Sequence, residues 1–123
     1  MLKVHTRNLG TIAILCLQGR IVRGQFAILR NAVDSQSGVS AVVLDLTRVT
    51  TIDAGGLGML LELRAHAESR GIALKLVNVT KRVSWLFEIT RLDTVFEITS
   101  GADLLSAGSY GQAASVLRLP ACA

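Results

Sequence analysis

The stretch TTIDAGGLGMLLELRAH, residues 50–66, passes from a threonine pair through Asp53 into three glycines and then a leucine-rich run. Leu57, Leu60, Leu61, Leu63 and Ala67 recur at helical spacing on one broad face, with Glu62, His66, Ser69 and Arg70 opposite. An amphipathic helix with its leucines toward a core follows from that spacing. Arg64 falls inside the apolar arc, and Glu68 stands one turn on as a partner at the rim. Asp53 marks the change from strand-like to helical pattern, where a short carboxylate can accept hydrogen bonds from the free N–H groups of the first turn. Gly71 supplies the stop. The glycines need a reason of their own, because each interior helical glycine costs about 1 kcal/mol relative to alanine. Two explanations stand side by side for Gly55 and Gly56: the bare turn is open to a phosphate, a carboxylate or another chain's backbone, or it relieves crowding against the neighbouring strand.

Outward from this helix the pattern alternates. SAVVLDL (residues 40–46) is a short β-branched run suited to a parallel strand buried on both faces. IALKLVNV (72–79) reads as the next strand, KRVSWLFEITRL (81–92) as a helix capped by Thr80, and VFEIT (95–99) as a last short strand. Toward the N-terminus, residues 2–8 and the apolar TIAILCLQG (11–19) predict two strands joined by a tight turn. Residues 24–36 follow as a helix with Phe26, Leu29, Ala32 and Val33 on its inner stripe. The fold class expected is α/β, a mixed, mostly parallel sheet of about five strands with alternating helices packed against it. The crossovers are long enough for parallel pairing. Residues 1–108 are expected to form this domain, with a further helical turn or two in ADLLSA (102–107). Residues 109–123 read as a C-terminal tail, either mobile or packed through Val116, Leu117 and Leu119.

A chain of 123 residues is the size of one domain, and 50% hydrophobic with 18% charged residues excludes a disordered chain. Thirteen Lys and Arg against nine Asp and Glu give +4. The positive residues are scattered rather than gathered in a run with aromatics, so no nucleic-acid partner is expected. Cys16 and Cys122 make neither a disulfide framework nor a metal motif, Cys16 reads as a small core residue, and a reduced cytoplasmic setting is the economical expectation. The N-terminal residues lack a signal-peptide pattern and no apolar run approaches a membrane span, so no direct membrane insertion is expected.

Chemistry-bearing motifs are scarce. GGLG lacks the G-x-G-x-x-G spacing of a dinucleotide site, since Leu61 stands three after Gly58, and no phosphate-loop lysine follows. His5 and His66 lie in no ligand cluster, and no nucleophile, base and acid share a plausible pocket. Neither a metal, a cofactor nor enzymatic activity is expected. NVT (78–80) has the form of a glycosylation sequon, but Thr80 better serves as a helix cap. Met59, near the edge of its helix's apolar arc, and Trp85, off the stripe of Val83, Leu86 and Phe87, are large side chains suited either to the core's rim or to a partner surface.

The run AVVLDLTRVTTIDAGGLGMLLELRAHAESRGIALKLVNVTKRVSWLFEITRLDTVFEI (41–98) resembles the STAS domain of bacterial anti-sigma factor antagonists, and the match extends over residues 2–107. Its most specific part is the strand, TRVTTID, two small residues, GLG and the leucine-rich helix. LQGRI (17–21) and RLDTVFEI (91–98) also fit, although Arg91 stands where a glycine is common. The resemblance implies a non-enzymatic binding module in transcription regulation. Its partner would be an anti-sigma factor or related serine kinase with a histidine-kinase-like ATPase fold, and binding would end on phosphorylation at the helix start. The implied partner-binding residues are Asp53, Ala54, Gly55, Gly56, Leu57 and Met59. Here the sequence departs from the family: Gly55 stands at the position of the phosphorylated Ser or Thr and has no hydroxyl. Thr50 and Thr51 are nearby hydroxyls better placed for the strand end than for a switch. Alternatives are a small STAS subunit of an ABC-type lipid transport complex and a scaffold STAS protein of a sensory assembly. Self-association into a homo-oligomer is left open.

Overall fold

A computed structural model of the chain describes residues 2–99. The strands are β1 (Lys3–Leu9), β2 (Ile12–Ile21), β3 (Ala41–Ile52), β4 (Ala73–Val77) and β5 (Glu97–Thr99); the helices are α1 (Phe26–Asp34), α2 (Ala54–Ser69) and α3 (Lys81–Ile89), with a 3-10 turn at Leu92–Thr94. The helical turns expected over 102–107 and the tail 109–123 lie outside the described residues.

The sheet runs β1-β2-β3-β4-β5 in space. β1 and β2 form an antiparallel hairpin, turned at Gly10 with φ of 65°, and the remaining pairs are parallel. Each parallel step moves one strand further in the same direction, so right-handed crossovers deliver all three helices to one face. The core shows that arrangement. Leu29 and Val33 of α1, Leu57, Met59, Leu60, Leu63 and Ala67 of α2, and Val83 and Phe87 of α3 join one cluster with Ala13, Leu15, Leu17, Val42, Leu44 and Leu46. Phe87 stacks on Phe96 with ring centroids 5.8 Å apart, tying α3 to the approach to β5. The strand residues between these point the other way: Ile12, Ile14, Cys16, Val43 and Val77 are buried in a second, strand-only cluster. Burial on both faces explains the near-continuous apolar runs of β2 and β3.

Several boundaries moved. β3 does not stop near Leu46 but continues to Ile52, its pairing with β2 surviving through register shifts at Cys16/Gln18 and Gly19/Arg20. α3 ends at Ile89 rather than at residue 92, because Arg91 adopts a left-handed conformation with φ of 60°. Leu61, expected in the core, is 37% exposed. Cys16, read from the sequence as a small core residue, is 5% exposed within the strand-only cluster. Cys122 lies outside the described residues.

Candidate partner-binding site

β3 delivers the chain to the carboxyl edge of the sheet, and α2 starts there. Asp53 is the N-cap: extended in its own backbone, it accepts a hydrogen bond from the Gly56 amide at 2.7 Å through Oδ1, and its carbonyl accepts from Leu57 N at 2.9 Å. This satisfies two first-turn donors, and a cap of this kind contributes about 1 kcal/mol. Among the described residues the Ala54 and Gly55 amides meet no hydrogen-bond acceptor. Asp53 and Ala54 are exposed and Gly55 is half-buried.

The three glycines have three different surroundings. A Cβ on Gly56 would lie 2.0 Å from the carbonyl oxygen of Ile21 and 3.1 Å from Ile52 Cγ2, so the end of β2 occupies the space a side chain would need. Relief of crowding is therefore the reason for Gly56. At Gly55 a Cβ would come within 2.8 Å of Arg23 Cβ in the loop between β2 and α1. At Gly58 nothing lies within 4 Å. Leu57 and Met59, expected on the binding surface, are only 7% and 6% exposed and belong to the core. What the turn presents outward is Asp53 and Ala54, with part of Gly55 and Gly58.

Thr50 donates its hydroxyl to the Gly19 carbonyl at 3.1 Å, and Thr51 faces Arg20 in the strand register, so both belong to the β2–β3 seam. Asp45, 2% exposed, accepts from the backbone N–H of Thr47 at 2.9 Å, from the Thr47 hydroxyl at 2.5 Å and from Asn78 Nδ2 at 3.4 Å. Its oxygens are thus met by donors, as a buried polar group requires. Beside it a cavity of about 400 Å³ opens where β3 runs on past the end of β4, lined by Thr47, Arg48, Asn78, Val79 and Thr80. Thr80 caps α3 by accepting from Val83 N at 3.3 Å.

Sequence inspection missed the cations here. Arg23 sits over Gly55, Arg20 lies at the end of β2, Arg48 lies within β3 opposite Gln18 of β2, and all three are exposed. Their scatter along the chain hid a shared edge that only strand topology creates. The opposite edge is different in kind. Asp34 of α1 meets His66 Nε2 at 2.6 Å, Arg70 at 2.7 Å and Arg30 at 3.7 Å, and Arg64 pairs with Glu68 at 3.0 Å as its spacing foretold. The His66 hydrogen bond is the main influence holding the Asp34 carboxyl below its ordinary value, helped by the nearby Arg70. Trp85, 60% exposed, and Ile89, 55% exposed, stand one turn apart on α3, away from the α2 start in sequence. Among the described residues no group of three His, Cys, Asp or Glu could hold a metal ion, and no helix is long and apolar enough to cross a membrane.

Comparison with known proteins agrees with this geometry. A family model described as Mlab, STAS domain, matches residues 5–105. The chain belongs to the STAS domain family. A STAS-domain containing protein of Pseudomonas aeruginosa is 31% identical over 84 residues, which is 68% of this chain and 83% of that protein. Among solved structures, an anti-sigma factor antagonist from Mycobacterium paratuberculosis has a TM-score of 0.67 at 17% identity, covering 80% of this chain and 86% of its own. A sulfate transporter family protein from Wolinella succinogenes has a TM-score of 0.64 at 24% identity, covering 75% and 78%. At these identities the structural likeness is one of fold, and that STAS fold serves both antagonists and transporter proteins.

Proposed function

We propose that this STAS domain is a non-enzymatic protein-binding module of the anti-sigma factor antagonist type. It engages an anti-sigma factor or related serine kinase with a histidine-kinase-like ATPase fold through the start of α2, in the bacterial cytoplasm. The observation that carries the proposal is the exposed, capped turn of Asp53 and Ala54 at the carboxyl edge, where a partner can reach the first-turn amides without disturbing the core. Gly55 occupies the family's phosphoacceptor position without a hydroxyl, so binding is not ended by phosphorylation there. A partner would instead be controlled through its own nucleotide state or through competition.

Co-purification identifies the partner, and Ala54→Trp tests the site. Ala54 is exposed, so the bulky side chain should leave the far-UV circular dichroism unchanged while weakening the co-purified kinase's binding by at least about tenfold. Unchanged affinity refutes the site. Phosphate transferred to residues 50–58 by that kinase with ATP refutes the absence of a switch. An ABC-type ATPase as the co-purifying protein replaces the proposal with the transport-linked alternative, and a particle of many STAS copies replaces it with the scaffold.

A further inference from the structure

Exposed cations lie at both edges of the parallel strands. On the amino edge of the parallel strands and the helix ends above it, Arg30, Arg64 and Arg70 are committed to Asp34 and Glu68. On the carboxyl edge, Arg20, Arg23, Arg48, Lys81 and Arg82 are exposed and make no ion pair within the described residues. Two carboxylates lie among them. Asp45 is buried and held by Thr47 and Asn78, and Asp53 is engaged with the Gly56 amide. The cavity between β3 and β4 opens within this basic rim, with Arg48 on its wall, the Thr47 and Thr80 residues beside it, and Lys81 and Arg82 in the first turn of α3 that Thr80 caps.

We infer that the carboxyl edge is the docking surface for an acidic segment of a protein partner, with one of its carboxylate side chains entering the cavity beside Arg48. This deepens the proposed function and rests on it for the location, adding the chemistry of the partner's face. Unpaired guanidinium groups around an opening that a side chain can enter favour a carboxylate-bearing chain, because Arg pairs with carboxylates in a fixed two-pronged geometry. Trp85, one turn on from Lys81, is a single exposed ring rather than the series of platforms on which successive bases stack, and the cations are spread over β2, β3, the loop before α1 and α3 rather than along one helix suited to a groove. Steering by this edge also raises the encounter rate and makes it fall with salt.

The probe is poly-L-glutamate, with a duplex DNA of comparable charge as the competing class, each titrated against the full chain at low and at physiological salt. The wild type is expected to bind poly-L-glutamate in a salt-dependent way, and Arg23→Gln/Arg48→Gln to weaken that binding about tenfold. Arg64→Gln/Arg91→Gln, which removes the same charge from outside the edge, should change it less than about twofold. Circular dichroism of both variants should match the wild type. Equal weakening by the two variants, or no binding of poly-L-glutamate by the wild type at low salt, overturns the inference. Tighter binding of the DNA duplex than of poly-L-glutamate overturns it in favour of a nucleic-acid surface. If Ala54→Trp spares kinase binding while Arg23→Gln/Arg48→Gln abolishes poly-L-glutamate binding, the proposed function fails and the acidic-partner surface stands.

Discussion

Replacing each glycine of the α2 start by alanine should give three distinct results, although the three lie within four residues. Gly58→Ala meets nothing within 4 Å, so helix propensity alone acts and the domain should gain about 1 kcal/mol. Gly55→Ala gains less in a first turn and brings its Cβ to 2.8 Å from Arg23 Cβ. The loop before α1 must yield by several tenths of an ångström, and the net loss should be about 1 kcal/mol. Gly56→Ala places its Cβ 2.0 Å from the Ile21 carbonyl oxygen and 2.8 Å from its carbon. Ordinary contact starts at 3.4 Å, so the end of β2 and the first turn of α2 must separate by more than an ångström. That movement also strains the Gly56 amide bond to Asp53 and should cost about 3 kcal/mol or more. Urea unfolding followed by far-UV circular dichroism measures all three, and in thermal melts about 1 kcal/mol corresponds to roughly 3–5 °C for a domain of this size. A Gly56→Ala variant within about 0.5 kcal/mol of wild type, or Gly58→Ala less stable than Gly55→Ala, refutes the assignment of crowding to these positions.

Asp34 offers a pH test. Its carboxyl is held below the usual 3.8, chiefly by the His66 hydrogen bond, so its stabilisation is present above 3.8 and is lost as pH falls through the depressed value. The difference in urea midpoint between wild type and Asp34→Asn should therefore hold at about pH 5 and shrink below pH 3.8; a difference independent of acid pH refutes the coupling. Arg91 sits in the left-handed region with φ of 60° after α3, so Arg91→Gly should stabilise by about 0.5 kcal/mol once the extra freedom of unfolded glycine is deducted. Arg91→Val should destabilise by about 1 kcal/mol, and the same sign for both variants in denaturant melts would contradict the backbone argument.

The fold was legible because apolar spacing reports burial directly. The three-and-four spacing in α1 and α2 and the doubly buried β3 placed helices and strands in the right order, and Asp53, Thr80 and Gly71 marked ends through their backbone chemistry. The misses fall where side-chain pattern carries no information. Thr47 and Arg48 break the apolar run of β3, yet the strand continues because backbone groups still pair with β2 across the shifted register. Leu61 lies inside the apolar arc on a helical wheel but beyond the reach of the sheet, and a wheel has no knowledge of how wide the facing surface is. Gly55 and Gly56 look alike in sequence; only the path of β2 distinguishes the one that abuts Arg23 from the one that receives the Ile21 carbonyl. The site was legible as a turn and not as a surface. Leu57 and Met59 fill the core, while Arg48 is brought beside the segment of Arg20 and Arg23 only by the pairing of β3 with β2.

The crowding at Gly55 bears on regulation as well as on stability. A serine there would carry a hydroxyl, but its Cβ would still stand 2.8 Å from Arg23 Cβ, so restoring a phosphoacceptor requires the loop between β2 and α1 to move. A phosphate at that place would then lie among Arg23, the α2 amides and the other cations of the edge, surroundings that stabilise negative charge rather than repel it. In this domain covalent modification at residue 55 would therefore neutralise the basic rim and compete with an acidic partner for the same donors. Gly55→Ser joined to Arg23→Gly removes the colliding Cβ together with one cation of the rim, so its binding is compared before and after phosphorylation with that of Arg23→Gly alone. If the double variant is phosphorylated by the partner kinase and only then loses partner binding, the edge acts as an anion seat shared by phosphate and carboxylate. If phosphorylation leaves binding unchanged, the partner does not use those donors, and the charge argument for the surface fails with it.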